Sequence, residues 1–164
     1  MMTDAMVVRI TRWASLLCGG LLAGIAVTVL IVELALRRLD GPEYVRVRQA
    51  EFDFFTWFVG TVFVTALIAV VMLVILAHRT RSPALRPASI ALGLLLLSAG
   101  ITLAINGPIN VEQLGWSVQV PPADWMTVRD RWQIAHAVRT IAIVLAFGCL
   151  TAGLIDRPFP GHRS

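Results

Sequence analysis

A chain of 164 residues that is 57% hydrophobic and 15% charged, with a mean hydropathy of +0.78, lies outside the range of soluble domains, in which about a quarter of residues carry charge. The length fits one membrane domain over residues 1–164 and excludes an additional soluble domain of ordinary size. All 14 basic residues are arginine and give a formal charge of +4; they flank apolar runs, which points to loop charge beside lipid headgroups and away from nucleic acid.

The chain opens with a short polar lead containing Arg9 and Arg12. From Trp13 to Val32 there is no charged residue, which is the length that a hydrocarbon core of about 30 Å requires of a helix. A secretory signal has a shorter apolar core and a small-residue cleavage site, so a retained helix is predicted, with a first span over 13–36. Gly20 and Gly24 form a small-xxx-small pair suited to close helix approach, or an accidental pair in a glycine-rich span. Cys18 and Cys149 both fall in spans and read as small apolar residues; Leu16-Leu17-Cys18-Gly19 lacks the small residue that a lipoprotein site places before its cysteine. Glu33 lies near the end of the run, where a carboxylate is costly unless paired, protonated or near water. It is either an interfacial partner of Arg37 or part of a functional site.

Asp40-Gly41-Pro42 reads as a turn and helix start, with Asp40 as cap and Pro42 in the first turn. The helical pattern from Pro42 to Ala77 would be about 54 Å long, so a cap segment over 37–53 is expected to precede a second span over 54–77. Helical spacing places Arg48, Glu51, Phe55 and Phe58 on one face, with Phe52, Phe54 and Trp57 at the same level. These aromatics form either an interfacial belt or the wall of a pocket.

Residues 78–87 are a short link with Arg79, Arg81 and Arg86 and no acid, broken by Pro83 and Pro87. A third span is predicted over 88–109, with small packing positions at Gly93, Ser98, Ala99 and Gly100. Asn106-Gly107-Pro108-Ile109-Asn110 should end it and free backbone carbonyls that lipid does not satisfy; the two asparagines either cap the frayed end or face a site. A loop over 111–122 follows, and Pro121-Pro122-Ala123-Asp124 enters a new helix. That helix is amphipathic to Ala135 and then spans the membrane over 136–155, so residues 110–135 form a second cap segment. The tail 156–164 is expected to fray.

The predicted fold is therefore all-α: an integral membrane four-helix bundle whose helices 2 and 4 extend beyond the bilayer on one side. The purely basic 2–3 link places that link and both termini on the cytoplasmic side of a bacterial-type inner or plasma membrane.

Trp132, His136, Arg139 and Thr140 share one face of the last helix. Helix 1 brings Glu33 to a similar level, helix 2 Arg48 and Glu51, and helix 3 Asn106 and Asn110, so every helix contributes a polar residue at one height. A histidine among carboxylates and arginines has the surroundings of a general base, or is held in place by hydrogen bonds. Glu33, Glu51 and His136 are weak candidates for a metal, since no two-histidine or cysteine-rich spacing accompanies them; no cofactor is expected. Nucleotide loops, a serine nucleophile elbow and a haem-attachment motif are absent, and four spans without visible repeats are few for a transporter.

The Asn-x-Pro-x-Asn pattern at Asn106, Pro108 and Asn110, followed one loop later by Trp-x3-His-x2-Arg-Thr at Trp132, His136, Arg139 and Thr140, resembles the signature of the anthrone oxygenase-like family, a domain-of-unknown-function group of small four-helix membrane proteins. The resemblance runs from Gly20 to about Leu154, with Glu33 and the segment 46–51 more charged than is usual in that group. Some members oxidise anthrones to anthraquinones. The resemblance implies a cofactor-poor oxygenase acting on a hydrophobic aromatic or polyketide-like substrate. His136 or Glu51 would remove a proton, with Arg139 and Asn106 stabilising the enolate. Asn110, Arg48, Trp132, Phe55 and Trp57 would bind substrate, with Phe52 beside them. The alternative is a non-catalytic membrane subunit, or a lipid- or quinone-binding protein, whose polar cluster ties the helices together. The expected partners are the bilayer, a hydrophobic small molecule and a further copy of the chain, and not nucleic acid.

Overall fold

The computed structural model describes residues 4–155; the tail expected to fray, 156–164, lies outside them. Five α-helices follow one another: α1 (Asp4–Leu36), α2 (Gly41–Arg79), α3 (Leu85–Ile101), α4 (Gly107–Leu114) and α5 (Trp125–Ile155), with a π-helical turn at Thr102–Asn106 joining α3 to α4. There is no strand among the described residues. Four stretches, Met6–Leu36, Phe54–Arg79, Leu85–Leu114 and Trp125–Gly153, are long and apolar enough to cross a membrane. The chain is an all-helical integral membrane protein.

Around the bundle, α1 packs on α2 and α5, and α3 packs on α2 and α5. The core is built largely from small and branched side chains: Ala23 and Ala26 of α1, Ala66 and Val70 of α2, Ala88 and Ala91 of α3, and Ala146 of α5. Small residues let helices approach closely where lipid provides no hydrophobic drive between them. Large apolar side chains such as Leu17, Ile68, Leu96 and Leu103 are instead exposed, as a lipid-facing surface requires.

The start of α2 follows its sequence. Asp40 Oδ1 accepts the Glu43 N–H at 2.9 Å, and Pro42 sits in the first turn. Gly41 is needed by its surroundings, since a Cβ there would stand 3.1 Å from Pro121 and from the Trp125 indole nitrogen. The 39 residues of α2 run to about 58 Å, well beyond the thickness of the hydrocarbon core. α5, the last helix, has 31 residues, and α1 has 33.

The third span differs from expectation. Asn106-Gly107-Pro108 does not end the helix at 109. Pro108 has no N–H and its ring presses on the carbonyl one turn back, and the chain responds by widening a single turn. The Gly107 N–H reaches back to the Thr102 carbonyl, after which α4 continues to Leu114. The loop is accordingly 115–124 rather than 111–122. Gly107 permits this turn, since a Cβ there would lie 3.0 Å from the Thr102 oxygen. Such π turns occur often at functional sites.

Candidate functional site

At the end of the bundle where α1 meets α2 and α4 meets α5, polar side chains from all four spans converge. Glu33 of α1 is 1% exposed, and its partner is Arg48 of α2 at 2.8 Å. Arg37, the local alternative, turns instead to Asp130 at 3.2 Å and to the Gln133 amide oxygen at 2.7 Å. Arg48 also donates to Glu51 at 3.0 Å, to Asn110 Oδ1 at 3.0 Å and to Gln113 Oε1 at 3.2 Å. The second Glu33 oxygen accepts the Gln133 side-chain amide at 3.0 Å. A buried charge needs both an opposite charge and hydrogen bonds for its remaining lone pairs, and this carboxylate has both.

Trp132 sits at the centre. The Arg48 guanidinium lies 4.3 Å from its ring centroid and the His136 imidazole stacks on it at 4.9 Å, while the indole N–H donates to Asn110 Oδ1 at 2.6 Å. Asn106 donates its side-chain amide to the Trp132 carbonyl at 3.0 Å. The two asparagines of the Asn-x-Pro-x-Asn motif therefore meet the same tryptophan, one through its backbone and one through its ring.

His136 is buried and both its nitrogens are engaged. Nε2 lies 3.1 Å from the Ala26 carbonyl, which can only accept, and Nδ1 accepts the Arg139 Nε–H at 3.0 Å. This is the pattern of a neutral imidazole protonated on Nε2, with no lone pair left for a substrate proton. Thr140 donates to the His136 carbonyl at 2.8 Å.

Arg139 lies deeper, against the π turn, and donates to Thr102 Oγ1 at 3.1 Å. Unlike Arg37, Arg48 and Arg129, it forms no ion pair among the described residues. Close by, two buried side-chain oxygens lack a hydrogen-bond partner: Asn106 Oδ1, four residues after Thr102, and Ser98 Oγ, four before it. A cation within a membrane span is ordinarily paired, so Arg139 with only neutral partners is the exception in this cluster.

Outside the spans, burial pushes the Glu51 carboxyl above the usual carboxylate range. Arg48 opposes this shift and Glu33 adds to it. The Tyr44 hydroxyl is pushed up to about 12, first by burial and then by Glu33. A small open cleft lies beside Arg48, lined also by Gln49, Phe52, Asn110 and Gln113.

The structure brings together Glu33, Arg48, Glu51, Asn106, Asn110, Trp132, His136, Arg139 and Thr140. It does not bring in Phe55 or Trp57, which are 47% and 82% exposed; only Phe52 of that aromatic group reaches the cleft. Glu33, Glu51 and His136 do not form a metal-sized group, and no three His, Cys, Asp or Glu side chains do so among the described residues. Sequence reasoning missed Gln113, Gln133 and Thr102. Gln133 falls four residues after Arg129 and three before His136, so its register carried a signal. Gln113 falls three after Asn110, but the expected end of the helix hid that relation.

Residues 54–149, more than half of the chain, match the family model described as Anthrone oxygenase. The match holds Asn106, Asn110, Trp132, His136, Arg139 and Thr140 but begins after Glu33, Arg48 and Glu51. No curated protein and no solved structure matches the chain. With four membrane-spanning helices and the two polar motifs joined at Trp132, this chain belongs to the anthrone oxygenase family.

Proposed function

We propose that this protein oxidises a flat, hydrophobic aromatic ketone that enters from the lipid phase, with dioxygen as the oxidant. The observation that carries this reading is Arg139: a cation inside a span, without a carboxylate partner among the described residues, needs a ligand that develops negative charge. An enolate oxygen meets that need, and fixed donors aimed at developing charge commonly contribute more to catalysis than any other device. Glu51 is the base in this scheme. Burial raises its pKa and so makes it a stronger base than an ordinary carboxylate, whereas both nitrogens of His136 are occupied, so the histidine positions Arg139. The substrate methylene loses one proton to Glu51 and its carbanion forms a C–O bond to dioxygen. The resulting peroxide takes up a proton and then loses water, together with the second C–H proton, to leave a ketone. One oxygen atom enters the product and the other leaves as water. In this reading the arginine-only link and both termini lie on the cytoplasmic side.

Dioxygen uptake by purified protein supplied with an anthrone tests this reading. Glu51→Gln and Arg139→Met should each lower the rate by about 100-fold or more. Uptake that is unchanged in both variants would overturn the assigned roles.

A second reading, a polar lock that joins the four helices without catalysis, is favoured by the near-complete pairing of the cluster and by the small size of the cleft beside Arg48. Under it, wild-type protein takes up no dioxygen with an anthrone, and the two substitutions lower only thermal stability.

A further inference from the structure

Threonines of this chain repeatedly return their hydroxyl to the carbonyl four residues back: Thr28, Thr61, Thr65 and Thr80 all do so, at 2.8, 2.7, 2.8 and 2.8 Å. A helix offers this bond to a hydroxyl that has no other partner. Thr102 makes it too, to the Ser98 carbonyl at 2.9 Å, but its oxygen also accepts Arg139 Nη1–H at 3.1 Å. With its hydrogen spent on Ser98, the Thr102 hydroxyl turns a lone pair to the guanidinium. The hydroxyls of the other four make no bond to a second side chain among the described residues.

Thr102 is also where the π turn begins, its carbonyl taking the Gly107 N–H. One residue therefore ties the widened turn to the charged side chain of α5. On the other side of the guanidinium, Nε–H donates to His136 Nδ1 at 3.0 Å, and His136 Nε2 meets the Ala26 carbonyl at 3.1 Å. Ala26, His136, Arg139, Thr102 and Ser98 thus form one chain of hydrogen bonds from α1 through α5 to α3. Each donor in it points away from the cation, and each end is a backbone carbonyl. An arginine held at both Nε and Nη1 has its plane fixed. Nη2 takes part in neither bond, and Arg139 is only half-buried, so this nitrogen is the donor left for a ligand.

We propose that Thr102 is a positioning residue for the oxidation: it holds the Arg139 guanidinium in the plane that presents Nη2 to the enolate oxygen. The role rests on the oxidation proposed above and involves no contact between Thr102 and the reacting atoms. A donor fixed in advance stabilises developing charge without reorganising at the moment of reaction. The substrate oxygen gains its charge only as the proton leaves, so a misaimed guanidinium weakens the transition state more than the ketone complex. Loss of the Thr102 hydroxyl is therefore read in kcat and not in KM.

Dioxygen uptake by the full-length protein over a range of anthrone concentrations tests this with Thr102→Val, which removes the hydroxyl at similar size, and Thr102→Ser, which keeps it. Thr102→Val should lower kcat about tenfold, less than loss of the arginine itself, and leave KM within about twofold of wild type. Thr102→Ser should stay within about twofold of wild type in both constants. In an Arg139→Met background, Thr102→Val should have no further effect on uptake, because the group it aims is gone. A thermal melt in detergent checks that each variant is folded, and Thr102→Ala takes the place of Thr102→Val if that variant does not fold. A wild-type kcat in Thr102→Val, a loss confined to KM, a loss in Thr102→Ser as large as in Thr102→Val, or an equal loss with and without Arg139 would each overturn the role while leaving the oxidation itself standing. Wild-type protein that takes up no dioxygen removes the oxidation first, and the role of Thr102 with it.

Discussion

Replacing Arg48 with methionine removes one guanidinium that serves two carboxylates. Glu33 is 1% exposed and Arg48 10% exposed at the side chain, so the substitution leaves Glu33 buried and without its counter-charge. Removing one partner of a buried pair costs about 3–5 kcal/mol. The neutral bonds to Asn110 and Gln113 add about 1 kcal/mol each, less than additively because they share one network. Glu33→Gln should cost less, about 1–2 kcal/mol, because Arg48 keeps Glu51, which is 27% exposed, and the Asn110 oxygen. The double variant Glu33→Gln/Arg48→Met removes both buried charges and should recover about 1–3 kcal/mol relative to the sum of the singles. Equilibrium unfolding in mixed micelles, followed by tryptophan fluorescence, measures all three. If the two single costs simply add, or if Glu33→Gln is the more damaging, the buried pair is not what holds α1 to α2 at this level.

Gly107→Ala should destabilise by about 1–3 kcal/mol through forced displacement of backbone, against the ordinary gain of alanine over glycine in a helix. Gly93→Ala, with nothing within 4 Å of the new Cβ, should be neutral or stabilising in the same thermal melt. Burial raises the Glu51 pKa above its ordinary 4.5, so the folded chain holds that proton more tightly than the unfolded chain. The Glu51 contribution to stability is therefore fully present below about pH 4.5 and is lost as pH rises through the raised value. Melts from pH 4 upward should show Glu51→Gln gaining on wild type over that window; parallel curves would contradict the shift. Trp57→Ala should leave both the melt and any dioxygen uptake close to wild type, because the ring is 82% exposed on the lipid-facing side; a large loss of uptake would return the aromatic group to the site.

Much of the site was legible as a list of residues but not as a set of bonds. That Glu33, Arg48, Asn106, Asn110, Trp132 and His136 matter followed from their cost in apolar surroundings. Which carboxylate met which arginine did not follow, because Arg37 stands four residues from Glu33 and Arg48 fifteen, and only the α1–α2 turn decides between them. Local rules also misjudged Pro108. Its missing N–H and bulky ring were read as a stop, yet a helix already packed on α5 loses less by widening one turn at Gly107 than by ending. That choice carries Gln113 to Arg48 and sets Thr102 against Arg139.

The sequence by itself determined the solvent and the class. Apolar runs of membrane length allow little besides helices, because lipid leaves no other partner for backbone hydrogen bonds. Arginine at one set of helix ends and mixed charge at the other likewise marked the two ends of the bundle. Only the tertiary structure decided that Phe55 and Trp57 face lipid, that His136 spends both nitrogens on Ala26 and Arg139, and that Arg139 alone among the clustered arginines lacks an acid. Each of these depends on the rotation of a helix about its axis and on distances across helices, quantities fixed by packing between segments far apart in the chain and carried by no local stretch of it.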